Sequence, residues 1–282
     1  MSPASRTTTT AKARRRHVSS IRSDSTTYRS KPPFFRHVAV LIASALTVSA
    51  FFLTRMDWDI EMRTWRAFGD AAIVLLFVTL SLGPAARVWR SLGRALPWRR
   101  ETGIWSALFA LVHTTLIFNG WLRWDWGRLL GYEFVPELGR VARLEPGFGL
   151  ANVVGVVALI WALMLAATSS DRAVRFLGPA GWKWLHHGAY VVFYLAVLHT
   201  AYFLFMHFTL SFHRVPPPEN WFRWPLLAMG VAVIGLQAAA FVKTVRGRRT
   251  SRGRELALDE RPRAPGALTI RQSAGRGPVR DR

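Results

Sequence analysis

Six long apolar stretches, separated by shorter charged loops, constrain this chain more than any other feature of its sequence. They cover residues 38–53, 67–82, 103–118, 149–167, 184–206 and 224–242. A helix that crosses the hydrocarbon core of a bilayer needs about 20 residues, and aromatic residues at the interface extend the shorter stretches. Because the stretches lack the polar face of a soluble helix, they predict an all-α membrane protein with a six-helix transmembrane bundle.

The basic residues predict the orientation of this bundle. The net charge is +22, and residues 1–37 and 243–282 carry 16 of these charges. The loops at 85–102 and 168–183 are also basic. Loops with nearly equal numbers of acidic and basic residues alternate with them, at residues 54–66, 119–148 and 207–223. Because basic loops stay on the cytoplasmic side of a membrane, we predict that both termini are cytoplasmic.

Both tails, residues 1–37 and 243–282, are rich in Ser, Thr, Gly, Pro and Arg, a composition that predicts disorder. Basic segments next to a membrane attract anionic lipid, which we expect to be their partner. Few aromatic residues interleave with the arginines, so nucleic acid is not an expected partner. The absence of cysteine excludes disulfides, iron–sulfur clusters and covalently attached c-type haem.

Four histidines lie inside the predicted membrane helices, where an ionisable side chain is a functional candidate. His113 lies in the third stretch, and His186, His187 and His199 lie in the fifth. These two stretches run in the same direction, and at about 1.5 Å per residue His113 and His199 both lie roughly 10 Å below the outer face. Two imidazoles at one depth can bind a haem iron from its two sides.

A second haem stays an open alternative at this point. His186 precedes His199 by thirteen residues, about 20 Å along a helix, which places it nearer the cytoplasmic face. Helical periodicity does not decide between His186 and His187 as an inner ligand. The residue thirteen positions before His113 is Arg100, so no histidine precedes His113 at the spacing that separates His186 from His199.

An ordered set of motifs connects these histidines. It runs through Gly69, Thr79-Leu80-Ser81-Leu82-Gly83-Pro84 closing the second helix, Arg99-Arg100, Gly103, His113, Thr168-Ser169-Ser170, Trp182, Leu185-His186, Tyr190 and His199. Over residues 67–206 this set resembles the ferric reductase-like transmembrane domain family, whose haem core the eukaryotic ferric reductases and NADPH oxidases share. Within the family it is most similar to the haem-binding membrane subunits of bacterial periplasmic methionine sulfoxide reductase systems.

The resemblance implies a set of site residues. It implies that His113 and His199 hold one haem b, and that His186 serves a second haem or a haem edge nearer the cytoplasm. Arg99 and Arg100 are expected to bind haem propionates or a docking reductase, since guanidinium groups suit carboxylates. The resemblance also implies a multi-pass protein of the bacterial inner membrane, with residues 38–66 and 207–242 flanking the haem core.

We therefore predict a membrane haem protein, the electron-transfer subunit of an oxidoreductase. Electrons pass from the cytoplasmic side to an extracytoplasmic redox protein, such as a methionine sulfoxide reductase. Residues 243–282 are too few to fold a flavin or nicotinamide domain. The expected donor is a separate cytoplasmic flavin reductase or quinol, and whether the chain itself binds flavin or quinone is left open.

Two alternatives remain. In the first, the outer face reduces ferric or other metal chelates directly, and His207 and His213 gather the metal. In the second, the chain is a non-enzymatic transporter or membrane scaffold, whose histidines are structural or relay protons. Asp70, early in the second helix, is then the residue of interest.

Overall fold

The computed structural model describes residues 33–143, 147–207 and 220–259 of the chain. Six helical segments in these ranges are long and apolar enough to cross a membrane. In chain order the helices are α1 (Pro33–Leu53), α2 (Ile60–Val88), α3 (Trp98–Ile117), the short α4 (Trp126–Leu129), α5 (Phe148–Ala167), α6 (Asp171–His187), α7 (Ala189–Ala201) and α8 (Arg223–Asp259). Helices α6 and α7 together form the fifth span. The predicted six-helix transmembrane bundle is confirmed.

The first and last helices are longer than the sequence analysis expected. Helix α1 begins at Pro33 and α8 continues to Asp259, so residues 33–37 and 243–259 are helical where disordered tail was predicted. Arg, Lys, Leu and Ala favour helix, which explains the extension of α8. Residues 1–32 and 260–282 lie outside the described part of the chain, so their disorder and lipid contacts stay predictions.

The start of α1 and the basic part of α8 lie at the same end of the bundle. Arg36 Nε is 2.8 Å from Glu101 Oε1, at the start of α3. Lys243 Nζ donates to the carbonyl of Val88, at the end of α2, over 2.7 Å. We call this the basic-loop end. Its cytoplasmic orientation stays a prediction.

Helix α2 is the central helix of the bundle and packs on α1, α3, α7 and α8. Its first turn is capped by Asp59, whose carboxylate accepts from the backbone N–H groups of Glu61 and Met62. Pro84 lies inside α2 and does not close it, since the helix runs on to Val88. Proline is better tolerated in membrane helices because neighbouring groups satisfy the freed carbonyl.

The opposite end of the bundle carries a small β-hairpin that the sequence analysis did not predict. Strands β1 (Tyr132–Val135) and β2 (Arg140–Arg143) are antiparallel, and Phe134 lies opposite Val141. The hairpin follows α4, whose cap residue Asp125 accepts from Gly127 N–H and Arg128 N–H. We call this the hairpin end.

The fifth span is interrupted in its first half. Gly178 has a φ of 72° inside α6 and precedes Pro179. A positive φ is readily adopted by glycine alone, so this pair marks the bend. The later part of the span, from α7 onwards, passes beside α5 and supplies one wall of the site described next.

Candidate cofactor site

A cavity of about 630 Å³ lies between α2, α3, α5 and α7. Cofactor pockets commonly enclose about 300–1,000 Å³ and are mostly apolar. The wall is largely aliphatic and aromatic, with Ile73, Leu76, Val156, Leu159 and Val192 among its residues. Leu129, Gly131 and Glu133 also line it, so the cavity lies toward the hairpin end.

Two histidines line this one cavity from different helices, His113 from α3 and His199 from α7. His113 Nδ1 is 2.7 Å from the carbonyl oxygen of Trp65, and His199 Nδ1 is 2.8 Å from that of Ala151. Because a carbonyl oxygen only accepts, each Nδ1 donates, and the neutral ring keeps its lone pair on Nε2. A hydrogen bond from the other ring nitrogen is the usual support of a metal-binding histidine.

The two histidines are held by the same local arrangement, which occurs twice in the chain. Each bonds the carbonyl of a residue 48 positions earlier. One helical turn after that residue comes a glycine, Gly69 in α2 and Gly155 in α5, which lies against the imidazole. A Cβ on Gly69 would be 3.0 Å from His113 Nδ1, and one on Gly155 would be 2.6 Å from His199 Nδ1. A larger residue at either glycine would displace the ring.

These residues fit a haem. Two imidazoles with free Nε2 atoms supply a donor set that haem iron accepts on both sides. The apolar wall suits the macrocycle and excludes water from it. Within the described ranges, no group of three or more His, Asp or Glu side chains is arranged to hold a metal ion. The two histidines therefore suit an iron that is already held by a porphyrin.

Both histidine-bearing helices contain a π-helical turn just beyond the histidine. These turns are Phe118–Leu122 after α3 and Tyr202–Met206 after α7. Such turns are rare and often occur at functional sites, because the extra residue re-aims the side chains that follow. After the second turn, His207 lines the cavity, and its ring centroid is 5.5 Å from that of Phe203. The sequence analysis placed His207 in an outer loop.

Two charged residues of α2 also line the cavity, Arg66 and Asp70. The guanidinium carbon of Arg66 is 5.8 Å from the ring centroid of Phe203. Asp70 is buried and accepts a hydrogen bond from Arg55. Arg66 was not predicted as a site residue, because residues 54–66 were expected to form a loop. Helix α2 begins already at Ile60, and the cap signal of Asp59 could have located that start.

Comparison with known proteins identifies the middle of the chain. Residues 68–197 match the family described as ferric reductase like transmembrane component. This part of the chain is similar to a ferric reductase-like transmembrane domain. The match includes His113 and His186 and ends two residues before His199. The resemblance found in the sequence is thus confirmed, and with its six spans the chain is a multi-pass protein of the bacterial inner membrane.

Curated relatives also resemble part of the chain. The chain is 31% identical over 134 residues to the protein-methionine-sulfoxide reductase heme-binding subunit MsrQ of Ralstonia nicotianae, which covers 48% of this chain and 55% of the relative. It is 32% identical over 134 residues to the protein of the same name from Bordetella pertussis. This alignment covers 48% of this chain and 58% of the relative. The alignments therefore span little more than half the length of these relatives.

His186 lies outside the cavity that His113 and His199 line. Its ring stacks on Trp182 with centroids 4.0 Å apart, and its Nε2 is 3.3 Å from Thr168 Oγ1. His187 is exposed, and its Nδ1 is 2.6 Å from the carbonyl oxygen of Lys183 in the same helix. The structure does not bring either residue to His113 and His199. A role for His186 at a second haem stays a prediction.

Arg99 and Arg100 lie at the basic-loop end of the domain and do not line the cavity. Arg100 forms an exposed ion pair with Asp171 over 3.0 Å. Arg99 is half-buried beside α2, where a Cβ on Gly83 would be 3.5 Å from its Nη1. Their predicted contact with propionates is therefore separate from the site of His113 and His199.

Proposed function

We propose that this chain is a membrane haem protein that transfers electrons across the bilayer, and that His113 and His199 would hold the iron of one haem b. The observation that carries this proposal is the paired arrangement of the two imidazoles on one apolar cavity. The relatives' names, which contain "heme-binding subunit", support it independently. Residues 68–197, which match the family model, contain His113 and Gly69, the glycine that lies against its ring.

Each part of the cavity has a task in this proposal. A bound haem supplies the one-electron carrier. His113 and His199 hold its iron, and the carbonyls of Trp65 and Ala151 orient the two rings. Arg66 lines the cavity, and its guanidinium group binds a propionate carboxylate of the haem. The apolar side chains exclude water, which keeps the electron on its path to the acceptor.

The direction of transfer, the donor and the acceptor are also proposals. Electrons enter at the basic-loop end from a separate flavin reductase or from quinol. They leave at the hairpin end, since the cavity lies toward that end. The acceptor is an extracytoplasmic redox protein, and the relatives' names favour a protein-methionine-sulfoxide reductase. Arg99, Arg100 and His186 are proposed to serve the entry side, as a docking surface or a second haem site.

The proposal is tested by a dithionite-reduced minus oxidised absorption spectrum of the purified protein, with haem counted by pyridine haemochrome. We expect a b-type spectrum and at least one haem per chain. A ratio near two would indicate a second haem, for which His186 is the candidate ligand. Protein that is folded, expressed with ample haem and still free of haem would contradict the proposal.

Direct reduction of metal chelates remains the second candidate, because His207 lies on the cavity wall. His213, its predicted partner, lies outside the described residues. Membrane vesicles that contain only this protein and a reductant distinguish the two functions. Rapid chelate reduction without an acceptor protein would favour the second candidate. Slow reduction that a redox partner accelerates would favour the first.

A further inference from the structure

A buried ion pair lies beside the cavity. Arg55, between α1 and α2, donates through Nη2 to Asp70 Oδ2 and, over 3.2 Å, to Asn220 Oδ1. Arg55 is 3% exposed and Asp70 is 4% exposed. Asp70 lines the cavity, whereas Arg55 lies behind it. The wall of the candidate haem site thus carries a carboxylate whose position is fixed.

Aromatic rings surround the guanidinium on its other sides. Arg55 Nε and Nη1 have no hydrogen-bond partner among the described residues. The guanidinium carbon instead lies 5.6–5.7 Å from the ring centroids of Phe51, Trp58 and Trp221. Such contacts stabilise a desolvated cation. Breaking a buried ion pair is costly, so Arg55 holds Asp70 in place beside the cavity.

Asp70 is better placed to act on the cavity than the other carboxylate of its wall. Asp70 directly follows Gly69, the residue against the ring of His113. Glu133 is only half-buried on the β-hairpin, where solvent and salt screen its charge. Arg66 also lies on the wall, one helical turn before Asp70. Asp70 is thus a buried carboxylate on the cavity wall, with Arg55 bonded to it and Arg66 one helical turn away.

We propose that Asp70 lowers the reduction potential of the haem held by His113 and His199, and that Arg55 partly offsets this effect. The inference rests on the proposed haem site. Reduction transfers one electron from the donor to the ferric iron and lowers the charge of the iron by one, and oxidation passes that electron to the acceptor. A fixed carboxylate favours the ferric state, and a fixed guanidinium favours the ferrous state.

A double-mutant cycle tests the proposal by redox titration of the full-length holoprotein. Asp70→Asn keeps the side-chain shape and removes the negative charge. We expect it to raise the midpoint potential by about 59 mV, equal to a roughly tenfold change in the ratio of reduced to oxidised haem. Arg55→Gln should lower the potential, and the double variant should lie between wild type and Asp70→Asn. Asp57→Asn removes the same charge from an exposed position and should have little effect.

Opposite shifts distinguish an electrostatic role from a structural one, because general loosening of the site would move both single variants in the same direction. If Asp70→Asn does not retain haem, comparison of Arg55→Gln with the double variant still measures the charge of Asp70. The inference would be overturned if the midpoint potential of Asp70→Asn shifts no more than that of Asp57→Asn, or if it falls. Absence of haem from wild-type protein would instead contradict the proposed function.

Discussion

Gly155 of α5 lies against the imidazole of His199 so closely that a Cβ on this glycine would be 2.6 Å from the ring nitrogen that donates to Ala151. Gly69 has the same relationship to His113, at 3.0 Å. Real Cβ atoms are essentially never found under 3.0 Å from such a neighbour. Gly155 therefore limits where the ring of His199 can lie, and Gly69 limits the ring of His113 less strictly.

Gly155→Ala should displace the ring of His199 and weaken haem binding. Overpacking of a well-packed interior costs typically about 1–3 kcal/mol, and Gly69→Ala should cost less because its contact is longer. The haem content per chain and the width of the reduced absorption band measure the effect. Gly230→Ala is the matched control, since a Cβ there would meet nothing within 4 Å. Equal haem content in all three variants would contradict this role of the glycines.

The ion pair between Arg36 and Glu101 should contribute far more to stability than the pair between Arg100 and Asp171. Glu101 is 1% exposed, so Arg36→Met leaves a buried carboxylate without its charge partner, a change that costs about 3–5 kcal/mol. The second pair is exposed, and Arg100→Met should cost about 0–1 kcal/mol. Thermal unfolding of the detergent-solubilised protein compares the two. Similar losses in both variants would show that Glu101 is hydrated or otherwise compensated.

His186→Ala should retain the haem of the hairpin-end cavity, because the His186 ring stacks on Trp182 and does not line that cavity. The measurement is the reduced-minus-oxidised spectrum together with haem per chain. A loss limited to a second haem would agree with a role at the basic-loop end. Complete loss of haem in a folded variant would contradict the separation of the two sites.

The pairing of His113 with His199 was predictable because the rise of a membrane helix is regular. Counting residues from the helix ends placed both histidines at one depth, and the structure places both on one cavity. The number of spans was predictable for a similar reason, since each must contain a long apolar stretch. The identity of the iron ligands stays a prediction.

The supporting residues were less accessible to sequence reasoning. Arg66 lies between charged residues that made the first turns of α2 look like a loop. The contacts of Gly69 and Gly155 depend on which helices are neighbours, and a single sequence does not contain that information. The π-helical turn that brings His207 to the cavity depends on local packing, which no residue pattern specified. The β-hairpin was also not predicted, because its strands have only four residues each.

Substitution of the two proposed ligands tests the central claim most directly. His113→Ala and His199→Ala should each abolish the low-spin b-type spectrum of the hairpin-end haem, while the protein stays folded and inserted in the membrane. His187→Ala, which changes an exposed histidine bonded within its own helix, should keep wild-type haem content. Full haem with an unchanged spectrum in either His113→Ala or His199→Ala would show that the two imidazoles do not hold the iron.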